Sequence, residues 1–354
     1  MLYQTENQHG GDVYGGGITL DFSANTNPLG TPPGVLEAVC RALPRLHRYP
    51  DPYCRRLVQA IAGHEQVPAS YILCGNGAAD LIYTYCAALR PRTAVELAPT
   101  FGEYGAGLAQ VGCRVAPYFL HQAENFDLDE RFLSFLEEKK PEVVFLCNPN
   151  NPTGRLIPLP LLEQILQYCA AQGARLFLDE CFLDLTEDGV SAKSLLAAHP
   201  ELLILKAFTK SYGMAGIRLG YCLCADNALL RRMAAASPPW NVSSPAQSAG
   251  VAALAERDFL QRTLSLVRTE RRWLTDNLTA LGFWVCPSHA NYLLFRGPLG
   301  LREGLLQQGI AIRGCGNYNG LGDGWYRIAV RPHGENEALI TVIRQFCKEK
   351  SLWQ

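Results

Sequence analysis

Hydrophobic and polar positions along this 354-residue chain alternate between two rhythms. Short apolar runs recur: "YILCGN" (71–76), "TAVELAP" (93–99), "RVAPYFL" (114–120), "EVVFLCN" (142–148), "RLFLDEC" (175–181), "LLILKAF" (202–208) and "RLGYCLC" (218–224). Between them, "GAADLIYTYCAALR", "FGEYGAGLAQVG", "LDERFLSFLEEKK" and "LPLLEQILQYCAAQG" return an apolar residue every third or fourth position, the period of a helix with one buried face. Strand and helix in alternation predict an α/β domain, with helices flanking a mostly parallel sheet. In such sheets ligands bind beyond the carboxyl ends of the strands, so chemistry is expected there.

After Ser243 the rhythm changes to one long helical stretch (244–282), followed by strands "NYLLF", "IAIRGC" and "WYRIAV" and a closing helix near "ENEALITVIRQFCKE". The segment to Leu46 is rich in Gly, Asn and Pro around one helix, "PPGVLEAVCRAL"; it either wraps across the site or packs with the C-terminal piece. These changes divide the chain into an arm contributing to a small domain (1–46), a large domain (47–243), and a connecting helix with the small C-terminal domain (244–354).

Composition narrows the function. With 48% hydrophobic and 18% charged residues the chain can bury a large core, and 32 basic against 33 acidic residues leave a net charge of −1. No basic stripe of the kind that binds nucleic acid is present. Thirteen cysteines are scattered without a CxxC pair or a Cys/His cluster, which predicts reduced thiols, a cytoplasmic protein and no metal site. "MLYQTENQHGGDVYGGG" lacks the basic and apolar regions of a signal peptide, and no apolar run approaches the ~20 residues of a membrane span.

Four motifs fall at strand ends or helix starts. In "CGNGAAD" (74–80) a glycine turn opens a helix, where the amides of Gly77 and Ala78 can cradle a phosphate or merely cap the helix. It is neither a Walker loop nor GxGxxG, which argues against a nicotinamide enzyme. "CNPNNPTG" (147–154) is either a rigid loop or a way of holding Asn151 as a donor to a phenolate oxygen. In "FLDEC", Asp179 ends an apolar strand; it caps a helix, or its buried carboxylate holds a protonated ring nitrogen. "FTKSYGMAGIRLG" (208–220) sets one lysine, Lys210, among apolar residues. Lysine is seldom buried without a use, and an amine of lowered pKa forms covalent links to carbonyl compounds. Thr209 and Arg218 beside it can hold phosphate oxygens.

Taken together, these motifs resemble the fold-type I pyridoxal-phosphate enzymes of the aspartate aminotransferase superfamily, over nearly the whole chain. The resemblance implies a large domain with a mostly parallel sheet, a smaller α+β domain built from both ends of the chain, and pyridoxal 5'-phosphate as cofactor. It implies that Lys210 links covalently to the cofactor, Asp179 pairs with the ring nitrogen and Asn151 faces the ring hydroxyl. Gly77, Ala78, Thr209 and Arg218 would hold the phosphate, and Phe101 or Tyr104 of "APTFGEY" would stack on the ring. Tyr49 of "HRYPD" resembles a tyrosine that reaches a neighbouring subunit's cofactor, implying a homodimer with shared sites. Two departures stand out: Phe182 occupies the place of a tyrosine common in relatives, so a second bond to the ring hydroxyl is expected to be missing, and Ala207 replaces a serine, leaving more to Thr209.

Such motifs do not decide which bond of a substrate breaks. The N-terminal "HGG" and "LDFSANTNPLG" and the C-terminal "ANYLLFR", "IRGCGNY" and "YRIAVR" resemble threonine-phosphate decarboxylases of cobalamin synthesis more than histidinol-phosphate aminotransferases. That resemblance implies decarboxylation of L-threonine O-3-phosphate to (R)-1-amino-2-propanol O-phosphate, with a phosphoamino-acid aminotransferase as the alternative and serine phosphate as a possible substrate. Arg327 is expected to take the substrate carboxylate. Arg331, four residues on and on the same face if the strand continues, would take carboxylate or phosphate, or lie on the surface. His9, Asn25 and Gly30 complete the candidate substrate residues.

Overall fold

A computed structural model describes residues 9–350; the first eight residues, part of the expected arm, and the last four lie outside them. Strand β1 (Leu20–Asp21) belongs to the N-terminal segment. Among the described residues a seven-stranded sheet is built from β2 (Ile72–Gly75), β3 (Thr93–Ala98), β4 (Arg114–Phe119), β5 (Val143–Cys147), β6 (Arg175–Asp179), β7 (Leu202–Ala207) and β8 (Gly220–Cys224), in the order β2-β8-β7-β6-β5-β3-β4. All run parallel except β8, which is antiparallel to both neighbours. The central strands carry continuous rather than alternating apolar runs because helices cover both faces. Val144, Leu146, Leu176, Leu178, Leu202 and Ile204 are fully buried, and each such side chain stabilises the fold by roughly 1.5–3 kcal/mol.

Local signals set the helix limits. Helix Leu159–Gln172 stops at Gly173, whose φ of 67° suits a residue without a Cβ. Asp226 opens helix Asn227–Ala236 by accepting from the amides of Ala228 and Leu229.

The expected long helix is instead two, Ser244–Ala253 and Phe259–Ala280. The first packs against helices Pro33–Ala42 and Arg55–Glu65, the second chiefly against helix His333–Glu349 and neighbouring small-domain strands. The chain turns at 254–258 because the two apolar faces serve different cores.

The small domain holds β9 (Trp284–Val285), β10 (Tyr292–Arg296), β11 (Ile310–Ala311), β12 (Arg313–Gly314) and β13 (Trp325–Ala329). Four of them form an antiparallel sheet, β12-β13-β10-β9, closed by helix His333–Glu349. "IAIRGC" is therefore not one strand: β11 pairs parallel with β1, and after Ile312 the chain moves to β13. The N-terminal segment does both things expected of it. Phe22 bonds by its backbone to Ala311 and Ala329, and further on Asn27 and Thr31 bond to the backbone of Ser211 and Gly213, beside Lys210.

Candidate active site

Register brings distant motifs to one sheet edge. Gly75 and Ala207 both lie opposite Gly220, Asp179 opposite Leu205, and Cys147 opposite Asp179. The ends of β2, β5, β6 and β7 and the start of β8 thus adjoin in space.

At the first of these ends Gly77 has φ 88°, and a Cβ there would lie 2.9 Å from Arg218 Nη2. A Cβ on Gly220 would lie 2.8 Å from the Ala78 amide nitrogen. Glycine at both positions lets a guanidinium and a strand close on the start of helix Ala78–Leu89. The Gly77 amide is taken by the Gly75 carbonyl at 2.8 Å, so it is the amide of Ala78, the positive end of the helix dipole and Arg218 that converge into a cradle for an anion. Thr209 is buried one residue before Lys210.

Asp179 is 5% exposed. Its Oδ1 accepts from the Cys181 amide at 2.8 Å and its Oδ2 from the Tyr104 hydroxyl at 2.6 Å. Burial pushes its carboxyl above the usual range, against the lowering effect of those bonds and of the Lys210 charge. A buried carboxylate so placed is best satisfied by a cationic N–H. Tyr104, offered above as a ring-stacking residue, is fully buried: its ring lies along Phe145 at 5.6 Å and its hydroxyl is committed to Asp179. Phe101 stands edge-on to Tyr104 at 5.6 Å and is partly exposed.

The asparagine loop divides its labour. Asn148 Oδ1 accepts from the Ile157 amide, and Asn150 is held by Thr100, Thr153 and the Pro99 carbonyl. Asn151 Oδ1 accepts from Arg327 Nη1 at 2.5 Å. Arginine can only donate, which fixes the amide orientation and leaves its NH₂ as a donor for another acceptor. Arg327 is 6% exposed and bonds by Nη2 to the Ser23 carbonyl at 2.8 Å, while its Nε has no partner among the described residues.

Lys210 is the third residue of a single helical turn, Phe208–Ser211, and its Nζ lies 5.4 Å from the centre of the Phe182 ring. No hydroxyl stands there; that of Tyr292, edge-on to Phe182, bonds the Asn150 carbonyl. Among the described residues the amine has no hydrogen-bond or ion-pair partner. Burial, then the positive charges of Arg327 and Arg218, bring its pKa down to about 8. A neutral, nucleophilic amine is thereby accessible near neutral pH.

Of the remaining candidates, Asn25 is 1% exposed and neither polar atom of its side chain has a partner. Asn291, which bonds the Asn25 carbonyl at 3.3 Å, has an unpartnered Oδ1. With Arg327 Nε these make a buried polar group suited to a charged ligand. His9 bonds Glu103 at 2.6 Å and lies 5.7 Å from the Phe101 ring.

Gly30 lies against the lysine loop, since a Cβ on Gly213 would meet its carbonyl at 2.5 Å. Tyr49 is exposed and stacks on Trp240 at 4.5 Å.

Arg331 corrects an expectation. β13 stops at Ala329, Pro332 follows, and Arg331 Nε pairs with Glu335 at 2.9 Å, so Arg331 shares no strand face with Arg327.

The residue opposite Arg327 is Arg313, on β12. Its guanidinium lies 5.3 Å from the Tyr318 ring, and the Tyr318 hydroxyl lies 3.4 Å from Arg327 Nη1. "IRGCGNY" contained both residues, but only strand register sets Arg313 opposite Arg327. A cleft of about 950 Å³ between the arm and the small domain includes His9, Ser23 and Arg313 in its lining.

The chain is similar over most of its length to several known proteins. Threonine-phosphate decarboxylase of Salmonella typhimurium is 40% identical over 331 residues, covering 92% of this chain and 90% of that protein. Histidinol-phosphate aminotransferase of Methanosarcina mazei is 30% identical, covering 94% and 88%. The crystal structure of the histidinol-phosphate aminotransferase from Clostridium acetobutylicum superposes with a TM-score of 0.87 at 28% identity, covering 93% of this chain and 99% of that one. The sequence model of aminotransferase class I and II matches residues 18–346, and the chain belongs to that family.

Proposed function

We propose that this enzyme uses pyridoxal 5'-phosphate to decarboxylate L-threonine O-3-phosphate, giving (R)-1-amino-2-propanol O-phosphate for cobalamin synthesis. What carries the choice of decarboxylation is the 40% identity to a threonine-phosphate decarboxylase across about nine-tenths of both chains. The residues fit the cofactor: a partnerless amine at Lys210, a buried carboxylate at Asp179, a donor amide at Asn151, and the anion cradle formed by Gly77, Ala78 and Arg218. When bound, the cofactor withdraws the electron pair left on the substrate α-carbon.

The chain's own groups do the rest. Asp179 keeps the ring nitrogen protonated, and Tyr104 holds Asp179 in place. Phe101 would cover the cofactor ring, and Asn151, whose amide is oriented by Arg327, would donate to the ring oxygen. Arg327 and Arg313 bind the two anionic groups of the substrate, Arg327 taking the carboxylate, with Asn25 and His9 beside them. The bond from the α-carbon to the carboxylate breaks, carbon dioxide leaves, and Lys210 delivers a proton to the same carbon.

Arg331 and Gly30 have structural parts in this reading. Tyr49 and Trp240, exposed with Leu36, Leu43, Leu46 and Tyr53, lie at the interface of a homodimer. A cytoplasmic location accords with thirteen free thiols, and among the described residues no helix is long and apolar enough to cross a membrane.

Incubation with threonine phosphate tests the reading. Release of one carbon dioxide per amine formed supports it. Conversion of the cofactor to its amine form without carbon dioxide would identify an aminotransferase instead.

A further inference from the structure

Behind the lysine turn lies a buried ionic cluster that takes no part in the steps above. Lys206, four residues before Lys210 on β7, is 4% exposed, with its Nζ 2.8 Å from Asp184 Oδ1 and 3.0 Å from Glu65 Oε1. Glu65 also accepts from the Tyr221 hydroxyl at 2.5 Å and pairs with Lys193 at 2.8 Å. The second oxygen of Asp184 accepts from the Ser211 hydroxyl at 2.9 Å. Glu180 is fully buried, bonded to the Ser191 hydroxyl and the Ala192 amide.

Taking several charges out of water is costly, and well-packed apolar residues often serve stability as well. Stability alone is therefore a weak reason for such a cluster. Its position supplies a better one. Glu180 follows Asp179, Asp184 comes two residues after Phe182, Ser211 follows Lys210, and Tyr221 comes three residues after Arg218. Each of these cofactor-facing groups, at or just beyond the ends of β6 and β7 or just before β8, is thus joined to a cluster member by a short length of backbone.

We infer that Asp184, held by Lys206, is a positioning residue for Lys210. One helical turn cannot hold itself in place, because nucleating a helix is unfavourable. The end of Phe208–Ser211 is instead clamped twice at Ser211, by Asp184 on its hydroxyl and by Asn27 on its carbonyl. Lys206 fixes one carboxylate oxygen so that the other points at the turn. Glu65, Lys193 and Tyr221 fix Lys206 in turn. The consequence for Lys210 is a set direction, with its amine near Arg327 and Arg218, the cations that lower its pKa.

The test uses the full-length apoenzyme and free pyridoxal phosphate, so its result is independent of the substrate. Capture of the cofactor by Lys210 is followed by absorbance across pH, with thermal unfolding measured in parallel. Wild type should give a rate midpoint near about 8. In Ser211→Ala and Asp184→Asn the amine is free to move from the two cations. The midpoint should then rise by about one pH unit, and capture should slow roughly tenfold or more. Lys206→Arg should restore wild-type behaviour and Lys206→Met should not. Ser211→Ala removes a single hydroxyl and decides the matter if Asp184→Asn does not fold. Wild-type midpoints and rates in Ser211→Ala, with only a lowered melting temperature, would overturn the assignment.

Discussion

The two sides of the active site are built on opposite principles. On the cofactor side, Asp179, Asn151 and the turn bearing Lys210 project from adjacent ends of parallel strands, and each is braced by buried neighbours. On the proposed substrate side, Arg327, Arg313, Asn25 and His9 come from segments up to about three hundred residues apart, and several buried polar atoms have no partner among the described residues. The first side is finished by folding, whereas the second is finished by its ligand. Pre-organised groups suit a cofactor that stays, and unsatisfied ones suit a substrate that must enter and leave.

The sharpest way to break this comparison is to remove the cofactor-side amine that folding buries without a hydrogen-bond or ion-pair partner among the described residues. Lys210→Ala should lower turnover on the order of 10³-fold or more and abolish the visible absorbance of the bound cofactor. The same substitution should stabilise the apoenzyme. The folded-state pKa of Lys210, about 8, lies below its ordinary 10.5, so the unfolded chain binds more protons between those values. Stability therefore rises with pH across that window, and the penalty is fully present below about 8. Thermal unfolding of the apoenzyme at neutral pH should show the variant melting higher and its pH slope above 8 reduced. Loss of activity accompanied by lower stability would mean that Lys210 is an ordinary packed residue. In wild type, capture of added cofactor at pH 6 should be about a hundredfold slower than its plateau, since only the neutral amine attacks.

Arg327 spans both sides, so its replacement separates them. Arg327→Lys keeps the charge but loses the fork that reaches Asn151 and Ser23 together. KM for threonine phosphate should rise roughly 10- to 100-fold, with a smaller fall in kcat from the loosened Asn151. An unchanged KM would remove Arg327 from substrate binding. Tyr104→Phe touches the cofactor side alone. Losing one charge-assisted bond to Asp179, worth about 1.5–3 kcal/mol, should reduce kcat about tenfold while KM stays within twofold.

The same division explains what the sequence revealed. The motifs around Lys210, Asp179 and Asn151 are contiguous, each ending a strand whose apolar run is visible, so both the large sheet and the cofactor-facing residues could be read directly. Tyr104 was harder to place. Its aromatic ring suits stacking, and only the fold shows that its hydroxyl reaches Asp179, 75 positions away. Arg313 and Arg327 became a pair through strand register, which periodicity does not report. Lys206 was hidden for the opposite reason: it sits inside an apolar strand, and its partners Glu65 and Asp184 come from elsewhere. Helix Arg55–Glu65 escaped notice although Leu57, Val58, Ile61 and Ala62 have helical spacing, because charged residues surround them.

Arg331 gives the mildest test, and it bears on where the substrate side ends. Two arginines four positions apart suggest a pair, yet the strand ends between them and Pro332 redirects the chain into helix His333–Glu349. Arg331 then forms an ion pair with Glu335 at the start of that helix, where both groups are partly exposed. Such a pair is worth less than about 1 kcal/mol. Arg331→Ala should therefore leave kcat/KM for threonine phosphate within about twofold and lower stability by no more than about 1 kcal/mol, as read by denaturant unfolding. Arg313→Ala, measured beside it, should raise KM by roughly tenfold or more, the cost of removing a charged partner from a buried anion. If Arg331→Ala raised KM as much as Arg313→Ala, the substrate side would extend past the end of β13, and its second cation would be Arg331 rather than the arginine opposite Arg327.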